Sequence, residues 1–358
     1  MIRTLRLQNF KGIRDVEIGL ERLTVFVGPN GSGKTSLLQG LDLLINRLSR
    51  EVFSPLRDYP RLSDYWSLDS SGGATELSCS TDAKDYRVRI DQSDVRSSWQ
   101  IRNRIGSDVE WREPSEHDKN DFAMNHCQVF RFDPEKMSRA SLVEHVDRLS
   151  SDGSWLTGAL FQLAKKQPAN FNRLQDTLAK LIPAVKKICF REAMRHVPQT
   201  NGLNSSDEPV EKLEMSATIE LVNGRIIPLH TASEGTLLVL GLLTILMNDL
   251  QPHLILLEDV DRGLHPLAQR NVVDLLHTIQ EQNPDLQIVA TTHSPYLVDR
   301  LRPEEVRMTT LRDDGTVACG RLDEHHNYSR WKDEFLPGEL WSMFGEKWVV
   351  DLVPEVAR

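Results

Sequence analysis

Cysteine is scarce in this chain of 358 residues: Cys79, Cys127, Cys189 and Cys319 are scattered singly. That spacing excludes a disulfide framework and a Cys-x-x-Cys zinc site, and makes a reducing cytoplasm the expected home. Apolar runs are short as well. None approaches the ~20 residues of a membrane helix, and the N-terminus lacks the basic and apolar regions of a secretory signal, so no membrane partner is expected. A basic excess is also missing: 43 Lys and Arg face 52 Asp and Glu, a formal net charge of −9. This argues against a dedicated nucleic-acid coat and leaves room only for a local basic groove. What is present is 39% hydrophobic content, enough to bury one large core or two lobes.

The apolar run Leu23-Thr-Val-Phe-Val27 leads straight into Gly28-Pro29-Asn30-Gly31-Ser32-Gly33-Lys34-Thr35-Ser36. This is the G-x-x-x-x-G-K-[ST] spacing of a phosphate loop. Its glycines let the backbone turn sharply and aim N–H groups at phosphates, and the helix that follows presents its positive N-terminus to the same anion. Lys34 would reach the β and γ phosphates, and the Thr35 hydroxyl would coordinate Mg²⁺. Positions 37, 38, 41, 44, 45 and 48 are all Leu or Ile, the spacing of one buried helical face. ATP with Mg²⁺ is therefore the expected ligand.

The second half adds acids and a histidine. Leu254-Ile-Leu-Leu257 reads as a parallel strand buried on both faces, and Glu258 and Asp259 fall at its C-terminal edge. There Glu258 would hold the metal and Asp259 would polarise the attacking water. A second buried strand, starting at Gln287, ends in His293, a γ-phosphate sensor by position, followed by Ser294-Pro295 opening a helix. Upstream, Ser233-Glu234-Gly235 caps a helix over Leu237 to Leu250 so uniformly apolar that it must be buried nearly all round.

Elsewhere, residues 2 to 20 and 74 to 113 read as strands of a meander, with clean alternation in Tyr86-Arg-Val-Arg-Ile90. Residues 51 to 73 read as an ordered loop, and 198 to 212 as a mobile one. From Ser138 to about Lys187 the spacing is helical. Arg87 with Arg89, and Arg102 with Arg104, each share one sheet face; a solvated face is preferred to a phosphate-contacting patch. Asp323-Glu324-His325-His326 reads as a solvated turn rather than a metal cluster. The last 36 residues hold Trp331, Trp341 and Trp348 with Phe335, Leu336 and Phe344, either packed on their own domain or docking a partner.

In their order these residues resemble the ATP-binding-cassette heads of the SMC/RecF type, and more closely the stand-alone AAA ATPases related to OLD-family proteins. Gly28 to Ser36 resembles the family's Walker A and Ser233-Glu234-Gly235 its signature turn. Glu258 through Pro266 resembles its Walker B and D-loop, and Thr292-His293-Ser294-Pro295 its switch histidine. Asp259 and Val260 stand where the family usually has Glu and Pro, and Gln128 is the candidate Q-loop glutamine. The resemblance implies an α/β fold: an ABC-type ATPase head with a mainly parallel core sheet, an antiparallel β meander and an inserted helical lobe. The expected division is an N-terminal ATPase lobe at 1–135, a helical insertion at 136–212, a C-terminal ATPase lobe at 213–322 and an aromatic-rich tail at 323–358.

Two functions follow from the resemblance. In the first, a homodimer sandwiches ATP between one chain's phosphate loop and the other's Ser233-Glu234-Gly235, with higher oligomers as an extension. Its shape controls a separately encoded effector, nuclease-like or toxin, in prokaryotic anti-phage defence, with slow hydrolysis. This reading is preferred because the chain ends soon after the ATPase core, with no room for a nuclease domain of its own. The alternative is a RecF-like DNA-repair ATPase that binds DNA directly. A transporter ATPase subunit ranks third.

Overall fold

Segments in which every side chain is apolar become the centre of the molecule, because only a strand covered on both faces can bury all of them. The computed structural model describes all residues except 49–73, 91–96, 104–109, 114–126, 143–148, 198–209, 248–252 and 353–358. The strands, in chain order, are β1 (Ile2–Phe10), β2 (Ile13–Gly19), β3 (Leu23–Val27), β4 (Thr75–Thr81), β5 (Lys84–Ile90), β6 (Ser97–Asn103), β7 (Cys127–Phe130), β8 (Ser141–Leu142), β9 (Val185–Val197), β10 (Val210–Leu221), β11 (Ile226–Pro228), β12 (Leu254–Leu257), β13 (Gln287–Thr292), β14 (Val306–Leu311) and β15 (Val317–Arg321). The helices of eight residues or more are α1 (Lys34–Leu48), α2 (Leu156–Lys166), α3 (Pro168–Leu181), α4 (Glu234–Leu246), α5 (Pro266–Gln282) and α6 (Pro337–Phe344). They fall into two units, one of Met1–Val129, Pro252–Arg262 and Pro266–Arg358, the other of Phe130–Gln251 and Gly263–His265.

The first unit holds a sheet of order β15-β14-β3-β13-β12-β7 and an antiparallel sheet of order β2-β1-β4-β5-β6. All residues of β3, β12 and β13 are buried, and these strands run parallel. Their register pairs Val27 with Thr292 and Leu257 with Ala290. The residues just past the three strand ends, at Gly28, Glu258 and His293, therefore share one edge, where ligands of such sheets bind. Under the sheets, Leu37, Leu41, Leu44 and Ile45 of α1 pack with Leu5, Leu7, Leu77, Val88 and Leu256. Each such side chain stabilises the fold by about 1.5–3 kcal/mol through burial. The N-terminus is tied in by the buried Gln287 amide, whose Nε2 donates to Ile2 O at 2.9 Å while its Oε1 accepts from Ile2 N at 3.0 Å.

The C-terminal segment belongs to this first unit. Leu340, Trp341, Trp348 and Val349 are buried in it, so these tail aromatics pack on their own domain. His325 is buried too, its ring stacked on Phe344 with centroids 3.8 Å apart and planes 6° apart. In the Asp323–His326 stretch, expected as a solvated turn, Glu324 and His326 are exposed and Asp323 half-buried, and His325 alone departs from the expectation by packing inside. Burial pushes the His325 imidazole below its ordinary range, with neighbouring His326 acting in the same direction.

The second unit contains α2, α3 and α4 with the strands β8 to β11. Its composition corrects two expectations. Residues 136–212 are not a wholly helical insertion, because β9 and β10 form a long antiparallel hairpin running from Val185↔Leu221 to Val197↔Val210. The signal was present in Leu213, Met215, Ala217, Ile219 and Leu221, which alternate with the period of a strand. The expected C-terminal lobe of 213–322 is split, since β10, β11 and α4 fall in the second unit and β12 to β15 in the first. Helix α4 meets its expectation: every residue from Thr236 to Leu246 is buried. The loop expected at 51–73 and most of that at 198–212 lie outside the described residues.

Candidate active site

The loop after β3 has the three glycines of its motif at positive φ: 151° at Gly28, 79° at Gly31 and 95° at Gly33. Space reinforces conformation at two of them. A Cβ on Gly28 would stand 2.3 Å from the Thr309 carbonyl oxygen, and one on Gly33 would stand 2.4 Å from a Val317 methyl. Strands β14 and β15 thus roof the loop, and the Ser32 and Thr309 hydroxyls share a 2.7 Å hydrogen bond beneath it. Pro29, Asn30 and Gly31 are exposed at the tip, Ser32 and Lys34 are buried, and Thr35 and Ser36 are half-buried in the first turn of α1. That turn contains no acidic residue, so the helix N-terminus keeps its positive field for an anion.

Lys34 is 4% exposed and folds back on its own loop, its Nζ donating to Gly28 O at 2.9 Å and Pro29 O at 2.8 Å. Burial drives its pKa down to about 8, against the raising fields of Asp259, Asp261 and Glu346. The ammonium is thus held by two carbonyl oxygens that a phosphate can replace.

Thr35 Oγ1 donates a 2.8 Å hydrogen bond to Glu258 Oε1, joining the phosphate loop to the end of β12. A hydroxyl and a carboxylate meeting beside a phosphate loop are a donor set for a hard divalent cation, which takes few protein oxygens and completes its shell from phosphates and water. Among the described residues no group of three or more His, Cys, Asp and Glu side chains is placed to hold a metal by itself.

Asp259 adopts φ 49°, and its N–H donates to Thr291 Oγ1 at 2.8 Å. Its Oδ1 lies 3.4 Å from His293 Nε2. Asp261 braces the same edge: it accepts from Thr292 Oγ1 at 2.7 Å and from the His293 N–H at 3.3 Å. Ser294 Oγ donates to Gln269 Oε1, fixing the chain as it leaves the histidine. The first unit therefore gathers all the candidate residues from Gly28 to Ser36 with Glu258, Asp259 and His293. Thr291, Gln269, Thr309 and Val317 are supports that the motif search missed. Thr291, the penultimate residue of an otherwise mostly aliphatic buried strand, was the legible signal among them.

In the second unit Ser233 is the N-cap of α4, its Oγ accepting from the Thr236 N–H at 3.2 Å. Ser233 and Glu234 are exposed and Gly235 half-buried, so the turn is available to an incoming group. The Gln128 side chain and Arg104 lie outside the described residues. Arg87 pairs with Glu76 at 3.0 Å and Arg102 with Asp85 at 2.6 Å. Both guanidinium groups also stack over the Trp111 ring, at 4.1 and 4.9 Å from its centroid. These two arginines are engaged within their own sheet, which removes them as support for a phosphate-contacting patch.

Comparison with known proteins gives the chain's family and fold. The profile of the family described as "AAA domain, putative AbiEii toxin, Type IV TA system" matches residues 23–299. An OLD nuclease of Thermus scotoductus is 22% identical over 88% of this chain, which spans 63% of that nuclease's length. An ATP/GTP phosphatase of Helicobacter pylori is 22% identical over 91% of this chain and 94% of its own. Among solved structures, an SMC head bound to the C-terminal winged-helix domain of ScpA superposes with a TM-score of 0.57 at 18% identity, covering 92% of this chain and 99% of that one. The α/β SMC-head fold is thereby established. No helix among the described residues is long and apolar enough to cross a membrane.

Proposed function

This chain belongs to that AAA-domain family, ATPases of the ABC/SMC-like class related to OLD nuclease, and from that membership we propose that it is an ATP-operated switch. The observation that carries the reading is the convergence of Thr35 with Glu258, and of Asp259 with His293, at the mouth of the phosphate loop. Lys34 exchanges its two carbonyl partners for the β and γ phosphates. Thr35 and Glu258 hold Mg²⁺, which supplies charge neutralisation of the phosphates when bound. Asp259 orients the attacking water and accepts its proton. The water oxygen bonds to the γ-phosphorus as the bond to the β-phosphate oxygen breaks, giving ADP and phosphate. His293, braced by Asp261, reads the γ-phosphate from the next strand. Asp259 is one methylene shorter than glutamate, so its reach to the water is poorer and turnover is slow.

The Ser233-Glu234-Gly235 turn, with Ser233 and Glu234 exposed at the N-terminus of α4, serves the nucleotide of a second copy, so ATP favours a homodimer. The dimer's shape then governs a separately encoded effector, nuclease-like or toxin, in cytoplasmic anti-phage defence. The relation to a protein named as a nuclease, and the likeness to a head solved with a partner domain bound, support this part. The test is a set of three proteins followed by nucleotide binding, light scattering and phosphate release. Lys34→Ala should lose ATP binding, and Ser233→Arg should bind ATP yet neither pair nor turn over. Full turnover by a demonstrable monomer would refute the paired site.

A further inference from the structure

Thr291, the last residue but one of β13, is fully buried, and it offers its polar groups to the two residues that follow Glu258. Its Oγ1 accepts the Asp259 N–H at 2.8 Å, and its carbonyl oxygen accepts the Val260 N–H at 3.0 Å. The hydroxyl hydrogen is directed to Asp259 Oδ1, 3.4 Å away. One residue thus holds the candidate base both at its amide and at its carboxylate.

The register shows what this does to the chain. β12 and β13 pair in parallel with Leu257 opposite Ala290, so a β12 that simply ran on would set Asp259 beside Thr292. Instead the chain folds back at Asp259, φ 49°, and the Arg262 N–H closes the turn on the Asp259 carbonyl at 2.9 Å. Aspartate tolerates this left-handed backbone only where its surroundings determine it. With the chain so turned, Asp259 Oδ1 comes to 3.4 Å from His293 Nε2, and Asp261 reaches Thr292 Oγ1 at 2.7 Å. A hydroxyl in a fully buried strand is costly unless it is bonded, and here both its donated and its accepted bond go to Asp259.

Resting on the nucleotide-site reading, we propose that Thr291 is a positioning residue for hydrolysis, which keeps the Asp259 carboxylate beside His293 by fixing that residue at both its backbone and its side chain. Thr291 takes no direct part in the chemistry and acts through Asp259. Without the hydroxyl, the Asp259 N–H loses its partner and the left-handed turn loses its determinant. The residue then relaxes toward an ordinary backbone and carries its carboxylate away from His293. A misplacement of about 1 Å at a reacting group costs up to ~10²-fold in rate, so the loss falls on the chemical step. ATP binding, made by Lys34 and the loop after β3, is left nearly intact.

The test uses the full chain, with a non-hydrolysable ATP analogue titrated by calorimetry, hydrolysis followed in a single turnover, and thermal unfolding as a control. Thr291→Val keeps the bulk and removes the hydroxyl. Hydrolysis should slow by roughly 10- to 100-fold while nucleotide affinity stays near native. Thr291→Ser, which restores the hydroxyl, should recover most of the rate, as a role in packing alone would not predict. In the Asp259→Asn background, Thr291→Val should slow hydrolysis far less than in the native chain, because the hydroxyl acts through that carboxylate. A native single-turnover rate in Thr291→Val, no recovery in Thr291→Ser, or equal slowing in both backgrounds would overturn the proposal. If the Val variant does not fold, Thr291→Cys, whose thiol bonds weakly, makes the same comparisons. Asp259→Asn separates the two levels of argument. If it slows hydrolysis while Thr291→Val does not, the base stands and this role falls; if it turns over at the native rate, both fall.

Discussion

Nε2 of His293 lies 3.4 Å from Oδ1 of Asp259, although the two residues end different parallel strands. Asp259 reaches that place through a left-handed backbone, φ 49°, which a non-glycine residue holds only when its surroundings determine it. Here the determinant is the Thr291 hydroxyl, which accepts from the Asp259 N–H. The acid therefore stands beside the residue that would sense the γ-phosphate.

Asp259→Asn keeps the size of the side chain and removes its basicity. Phosphate release should fall by about 10²–10⁴, the usual share of a general base, while nucleotide affinity changes only slightly. Single-turnover hydrolysis beside calorimetry checks this, and native turnover would move the base elsewhere.

The second prediction is a pH profile. Lys34 has a pKa of about 8 without ligand, and phosphates beside it would raise that value. Below pH 8 the ammonium is already charged. Above it, binding must take up a proton, so the Kd for ATP should rise with pH from about 8 upward, approaching tenfold per pH unit. Calorimetry in two buffers of different ionisation enthalpy should show proton uptake at pH 9 and almost none at pH 7. A flat profile would contradict the assignment.

Gly33→Ala should fail for two reasons, a positive φ of 95° and a Cβ only 2.4 Å from a Val317 methyl. The conformational part costs about 1–2 kcal/mol, and the clash adds to it. Val317→Ala should recover the clash part, so a double-mutant cycle read by thermal unfolding should show coupling of 0.5 kcal/mol or more. Strict additivity would mean that the strand does not roof the loop.

A fourth prediction concerns the tail. Ending the chain at Asp323 removes Leu340, Trp341, Trp348 and Val349, all buried in the first unit, together with both rings of the His325–Phe344 stack. Thermal stability and solubility should drop whether or not a partner is present. Trp348→Ala alone should cost about 3–5 kcal/mol. A truncated protein as stable as the full chain would show that these residues serve only an interface.

Sequence alone was enough for the parts whose geometry is written in a few consecutive residues. The phosphate loop is one: glycines at three set positions encode its backbone, and Leu or Ile at helical spacing encodes the buried face of α1 behind it. The apolar runs Leu254–Leu257 of β12 and Ile288–Ala290 of β13 are another, since apolar runs without alternation must lie inside a sheet and leave the polar residues that follow, Glu258 and His293, at its edge. Tertiary structure decided what depends on which strands lie side by side. The bond from Thr35 to Glu258 spans 223 positions, the contact of Gly33 with Val317 needs β15 beside the loop, and Gly338 fits only where α6 meets Pro295. No local period encodes such pairings, because each depends on sheet order and on close approach between distant segments. The hairpin of β9 and β10 lies between these cases: its alternation was legible in β10, but β9, following a helical stretch, took its form from pairing with that strand.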